Sequence, residues 1–261
     1  MNGTVVQRWE GEYLFVLRTL LLKDFRVRYR NMSLGVGWSL ANPLVMMGVL
    51  TFVFTKIFTN PAQNNYPIFV LCGLIPFNFF AMAWSTATTS LVDNAPLIKR
   101  TRFPREIVPV TTVFGNCIHF AIQIGLLLVL VLLFGQGFNR YWAWLPVVIL
   151  LEVVFVVGMA LAFAALDVYI RDIRYVVESV NVVLFWLVPI FYSFAVIPPQ
   201  YHEIYRFNPV AAVVMAFRNI LLDSHAPAGS LMLRLAFVST AAFIGGALIF
   251  ERLKKRFYDY L

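Results

Sequence analysis

Apolar residues in this chain run in long blocks rather than in the alternation of half-buried strands. Six blocks approach or exceed the roughly 20 residues that a helix needs to cross a hydrocarbon core of ~30 Å. They cover residues 34–58, 66–92, 107–134, 144–166, 176–196 and 230–250. The spacers are too short for a soluble domain. The pattern predicts an all-α integral membrane protein, a single transmembrane domain over residues 1–261 with six transmembrane helices.

Three segments outside these blocks carry patterns of their own. Over residues 12–31, Leu14, Leu17, Leu21, Phe25 and Tyr29 recur at steps of three and four, with Arg18, Arg26 and Arg30 on another face. That spacing is an amphipathic helix lying in the membrane interface, either a simple anchor or a strut that also meets a partner. Gly35 and Gly37 then offer a turn into the first span. Residues 94–106 hold Pro96 and Pro104 around Leu97 to Phe103, a short helix-compatible piece with Lys99, Arg100 and Arg102 and an apolar tip at Phe103. Residues 198–228 read as an outer re-entrant hairpin of two short helices. Its apolar run from Val210 to Leu222 is too short to span and contains Arg218.

Composition sharpens this. The chain is 61% hydrophobic, 16% aromatic and 13% charged, against about a quarter charged in soluble domains. Its net charge of +8 sits beside spans, where basic residues fix topology and meet lipid headgroups rather than nucleic acid. Most of the basic residues fall on one side: those before Asn31, the group Lys99, Arg100, Arg102 and Arg105, then Arg171 and Arg174, and the tail from Arg252 to Arg256. Short loops rich in Lys and Arg mark the cytoplasmic side, so both termini are expected there, with the chain multi-pass in the cytoplasmic (inner) membrane. Met1 to Glu12 lack an apolar core, so no cleaved signal peptide is expected. Asn2 and Asn31 fit a glycosylation pattern, but that pattern carries no weight on a cytoplasmic face.

Familiar site chemistry is missing. There is no Gly-x-x-x-x-Gly-Lys-Ser/Thr loop to hold phosphates, and Gly35/Gly37 and Gly135/Gly137 lack the strand that a dinucleotide site needs. His119, His202 and His225 are scattered, and Cys72 and Cys117 lie singly within spans, so no metal site, no disulfide and no cofactor are expected. Inside the spans, Glu152 is a lone carboxylate, Asp167 is expected to pair with Arg171, and Asn116, His119 and Gln123 form a polar stripe. The stripe suits interhelical hydrogen bonds as well as a pore lining. Aromatics are in surplus. Many suit the belts at membrane interfaces, and the rest suit a lumen along which sugar rings slide.

Leu21 to Leu44, Asn94 to Glu106, Arg171-Asp-Ile-Arg, Pro189-Ile-Phe-Tyr and Asn208-Pro follow one another in an order that covers essentially the whole chain. Together they resemble the ABC-2 class of polysaccharide-export ABC transporter permeases, with a departure at Gly37, where family members often carry an apolar residue. The resemblance implies a six-helix subunit that forms a homodimer and pairs with two copies of a nucleotide-binding ATPase subunit, which alone binds ATP and Mg. It places Arg26, Arg28, Tyr29 and Arg30 on an interface helix, and Leu97, Lys99, Arg100, Arg102, Phe103, Pro104, Arg105 and Glu106 on a cytoplasmic coupling helix that contacts the ATPase. It implies a channel for a lipid-linked glycan such as O-antigen, capsule or teichoic acid. By position, Phe77, Phe80, Trp84, Phe185, Trp186, Phe191 and Tyr192 are the aromatics expected along it. Two other readings compete: an ABC-2 permease for a lipid, drug or heme, and an integral-membrane glycan-modifying enzyme. The enzyme would need clustered polar residues facing one leaflet, and the sequence does not offer them.

Overall fold

The computed structural model describes residues 13–29, 37–58, 65–100 and 103–260, and these are entirely helix and loop. In chain order the helices are α1 (Tyr13–Tyr29), α2 (Gly37–Phe52, whose last turn widens into a π-helix over Val53–Ile57), α3 (Tyr66–Asp93), α4 (Ala95–Arg100) and α5 (Ile107–Leu133). They continue as α6 (Leu145–Tyr169), α7 (Ile173–Leu187), α8 (His202–Phe207), α9 (Pro209–Leu221), α10 (Gly229–Leu253) and α11 (Phe257–Tyr260). Five are long and apolar enough to cross a membrane: α2 with its π turn, α3, α5, α6 with the 3-10 turn before it, and α10 with the 3-10 turn after it. The chain is therefore a multi-pass membrane protein. One end of the bundle carries the basic loops around α4 and α11, and the opposite end carries α8 and the tip of α9.

Of the expected fifth span, residues 176–196, only the part up to Leu187 is α-helix. Its helix α7 has 15 residues and stops at Leu187, a rise of about 22 Å against a core of ~30 Å. Pro189 is the cause. A proline disfavours helical geometry in the residue before it, and Val188 is extended, with φ −70° and ψ 136°. The apolar run continued through the proline, so hydropathy alone extended the helix too far. The hairpin does form two helices. Asn208 caps α9, its side-chain oxygen accepting from the backbone N–H groups of Val210 and Ala211, and Pro209 opens the first turn, where a missing N–H costs nothing.

Helix α3 is the hub. It packs against α2, α5, α6, α7 and α9 and is apolar all round, as a helix buried on every side must be. The closest helix pair is α6 with α10. A Cβ added at Gly158 would lie 2.5 Å from the backbone of Ala242 and Phe243, and one at Gly246 would collide with the backbone of Gly158. Ala242 and Gly246 are four apart, the small-residue spacing by which membrane helices bring their backbones together where burying apolar surface offers no drive.

Gly158→Leu is therefore expected to destabilise the bundle by more than the ~1–3 kcal/mol of ordinary overpacking. Gly245→Ala, with no atom within 4 Å of an added Cβ, should be neutral or slightly stabilising. Thermal unfolding of the two variants in detergent checks this contrast.

Candidate functional site

At the basic end, α4 starts at Ala95, two residues before the expected Leu97, with Pro96 tolerated in its first turn. Ile98 roots it in the core at 1% exposure, while Lys99 is exposed. Phe103, expected as a protruding apolar tip, is half-buried against the core instead. The loop is also tied inward. The Arg105 guanidinium donates to the Lys254 carbonyl at 2.8 Å and lies over the Phe257 ring, and the Lys23 ammonium on α1 donates to the Asn94 side chain at 2.7 Å. Leu97, Pro104 and Glu106 are half-buried. Arg30 and Arg102 lie outside the described residues, as do the side chains of Arg26, Arg28, Tyr29 and Arg100.

The expected Asp167 to Arg171 pair is replaced by Asp167 to Arg174 at 3.2 Å. Helix α6 ends at Tyr169, so Arg171 falls off the helix, and the one-turn spacing that would bring it over Asp167 is lost. Among the described side chains of α1 the most buried apolar one is Leu20, beside the expected stripe, while Leu17 and Leu21 are half-buried and Leu14, Phe25 and Tyr29 lie outside the described side chains.

The seven aromatics proposed from position divide. Phe77, Phe80, Trp84 and Phe191 are at most 8% exposed, Phe185 and Tyr192 are half-buried, and Trp186 is 61% exposed. Their rings meet tilted or edge-on within the subunit. Phe80 lies 5.4 Å from Trp84 and 5.9 Å from Phe155, Phe77 meets Phe185 edge-on at 5.5 Å, and Trp186 meets Phe191 at 5.3 Å.

The polar stripe on α5 makes the interhelical hydrogen bonds of its first reading. Asn116 donates to the Thr86 hydroxyl at 3.0 Å and Gln123 to the Ser39 carbonyl at 2.9 Å, joining α5 to α3 and α2. The same residues, with His119, Asn42 and Asn78, line a cavity of about 510 Å³ among these helices. Glu152 is buried where α9 begins, beside Phe80 and Phe155. Cys72 and Cys117 are free thiols. No group of three metal-ligating side chains occurs among the described residues.

The feature that sequence reasoning missed is how the break after α7 is held. Three consecutive carbonyls leave the helix, and side chains from elsewhere reach all three. Arg218 on α9 donates to Ile190 at 2.6 Å and to Tyr192 at 3.3 Å, and the Tyr66 hydroxyl donates to Phe191 at 2.7 Å. Arg218 also lies over the Phe69 ring at 3.4 Å. The Tyr192 hydroxyl turns back to the Leu187 carbonyl at the end of α7. Helix α3 leaves room for this segment at Gly73, where a Cβ would lie 3.0 Å from the Ile190 Cα. One sequence signal pointed to the device: an arginine within an apolar run is a functional or structural site by default. Tyr66 gave none.

Near this end Glu203 bridges Arg206 at 3.0 Å and Arg234 at 2.6 Å, fastening α8 to α10. The hydrogen bond from Arg234 holds its carboxyl below the usual carboxylate range.

A family profile described as ABC-2 type transporter matches residues 16–222. The O-antigen export system permease protein RfbA of Klebsiella pneumoniae is 30% identical over 99% of this chain and 100% of its own length. RfbA of Myxococcus xanthus is 26% identical over 95% of this chain and 96% of its own. The polysialic acid transport protein KpsM of Escherichia coli is 26% identical over 95% of each.

Arg218→Lys keeps the charge but replaces a planar fork with a point donor that cannot span Ile190 and Tyr192. It is expected to cost about 2–4 kcal/mol, since buried carbonyls lose charge-assisted partners, and to expose residues 188–193 to protease before the rest of the bundle. Limited proteolysis of the detergent-solubilised variant reads both effects.

Proposed function

The chain belongs to the ABC-2 type transporter family, and from that membership we propose that it is the membrane subunit of an ATP-driven exporter that moves a lipid-linked polysaccharide, of O-antigen, capsule or teichoic-acid kind, across the cytoplasmic membrane. The observation that carries the reading is similarity over full length to permeases named for O-antigen export, at 30% identity. The more distant similarity to a polysialic acid transport protein points the same way.

In this reading the chain works as a homodimer with two copies of a separate ATPase subunit, because its own sequence holds no loop for nucleotide phosphates. The basic end faces the cytoplasm, as the excess of Lys and Arg in its short loops favours. Helix α1 and residues 94–106 form the input surface. Its mechanical logic rests on contacts within the subunit: Lys23 links α1 to the start of α4, Ile98 roots α4 in the core, and Arg105 links the loop to the end of α10. A push on α4 is thereby carried to α3, α5 and α10 together, a rigid-body input of the kind that drives domain movement.

The glycan path runs between the two copies. Of the seven candidate aromatics Trp186 has the most surface to offer it, Phe185 and Tyr192 stand at its edge, and Phe77, Phe80, Trp84 and Phe191 back them as a stiff wall. Aromatic faces suit the C–H faces of sugar rings and allow sliding. Phe191 and Tyr192 belong to the gap after α7 itself, and non-helical backbone within a membrane is tolerated only against protein or a water-filled path.

Lys99→Glu tests the input surface, because Lys99 is exposed and its replacement leaves the core intact. The variant is expected to insert and accumulate normally, to recover less ATPase on co-purification, and to lower surface polysaccharide by about tenfold, as reversing an interface charge does. Wild-type polymer with wild-type ATPase recovery would remove α4 from the interface.

A further inference from the structure

A cavity of about 690 Å³ opens at the hairpin end, and three guanidinium groups line it: Arg206 from α8, Arg218 from α9 and Arg234 from α10. We propose that it binds the phosphate headgroup of a membrane lipid in the leaflet on the hairpin side. This needs only that the chain spans a membrane, and it holds whatever polymer crosses.

Arg218 carries the argument furthest. It is 6% exposed, and no carboxylate among the described residues lies within ion-pair distance of it. Two of its nitrogens serve backbone carbonyls, while its Nε has no hydrogen-bond partner among the described residues. A buried cation is costly without a close anionic partner, and the charge of Asp223 acts on this one only from beyond ion-pair distance, across a cavity that both residues line. Arg206 and Arg234 stand at the rim. Glu203 takes one nitrogen from each, and a guanidinium has five N–H donors to give. The one carboxylate in the lining, Asp223, has His225 at 3.9 Å. Guanidinium donors converging from three elements match an oxyanion with several acceptor oxygens.

The apolar surroundings favour a lipid phosphate over an acidic sugar. Arg234 lies near the start of α10, and Leu233, Phe237, Ile244 and Leu248 follow on that helix, each at least 54% exposed. Leu233 and Phe237 lie within about 100° of Arg234 around the helix axis, and the four fall at spacings of four, seven and four, which is one continuous face. A phosphate held by Arg234 therefore has a path for its chains along α10. Basic pockets between membrane helices take phosphate headgroups on this principle. Two sources share the chemistry, a bulk phospholipid and a polyprenyl diphosphate carrier.

The test uses the full permease with its ATPase in neutral detergent, titrated with phosphatidylglycerol, with a polyprenyl diphosphate and with a diacylglycerol of matched chains, and scored for retained lipid by native mass spectrometry. Phosphate-bearing lipid is expected to be retained and diacylglycerol lost, and the phosphate lipid held more tightly names the source. Arg234→Gln should weaken retention about tenfold, the weight of one charge-assisted hydrogen bond. Glu203→Gln, which removes the competing carboxylate, should strengthen it, a gain that a purely structural role for these residues does not produce. Equal retention of diacylglycerol, or no change in either variant, overturns the proposal. Because the readout is lipid retention rather than export, that outcome leaves the exporter reading standing.

Discussion

A backbone carbonyl at membrane depth has no water to bind, so a chain that leaves helical geometry there must bring its own donors. Pro189 forces that departure, and Arg218 with Tyr66 supplies the donors for Ile190, Phe191 and Tyr192. Much else follows from this arrangement. Helix α9 must pack deep enough to place Arg218, and this apolar helix of 13 residues is buried along nearly its whole length. Helix α3 must carry Gly73 where the irregular segment crosses it. The segment ends up as a fixed element with non-helical shape, the kind of surface a uniform bundle of helices does not offer.

The second constraint is the backbone contact of α6 with α10 at Gly158 and Gly246. It joins the helix that ends at Tyr169 to the helix followed by Lys254, whose carbonyl receives Arg105. Tyr169 at the end of α6 reinforces the joint by donating to the Leu253 carbonyl at 2.6 Å. The basic end is thus braced through packed backbone as well as through the long side chains of Arg105 and Lys23. A displacement at α4 has a stiff route into the bundle, whereas α8 is fastened at the other end by exposed ion pairs around Glu203. Exposed pairs contribute little stability, so the fastening around Glu203 is the weaker of the two.

How much of this was legible in the sequence depended on which physical term dominates at each residue. Where hydropathy and length decide, as for α2 with its π turn, α3, α5, α6 and α10, apolar runs marked the helices to within a few residues, whereas α7 stops about two and a half turns short of Val196. At residues 188–196 the run stayed apolar while Pro189 set the backbone, and hydropathy overruled a local steric rule that was visible. Phe103 and the partner of Asp167 were misplaced because side-chain destinations depend on how helices end, and both lie just past a helix terminus. The polar stripe of Asn116, His119 and Gln123 was legible because it follows helical periodicity. The three-arginine cavity was not, since its residues come from α8, α9 and α10 and meet only in space.

The central claim is that this chain is the conduit of an ATP-driven glycan exporter and does no chemistry itself. It is tested most directly by reconstituting the chain with its ATPase in proteoliposomes that carry a fluorescent lipid-linked glycan on the face where the ATPase sits. The account predicts that glycan becomes accessible to a glycosidase enclosed on the opposite side only when ATP and both subunits are present, with the glycan chemically unchanged. Passage without the ATPase, or covalent alteration of the glycan by this chain alone, would contradict it.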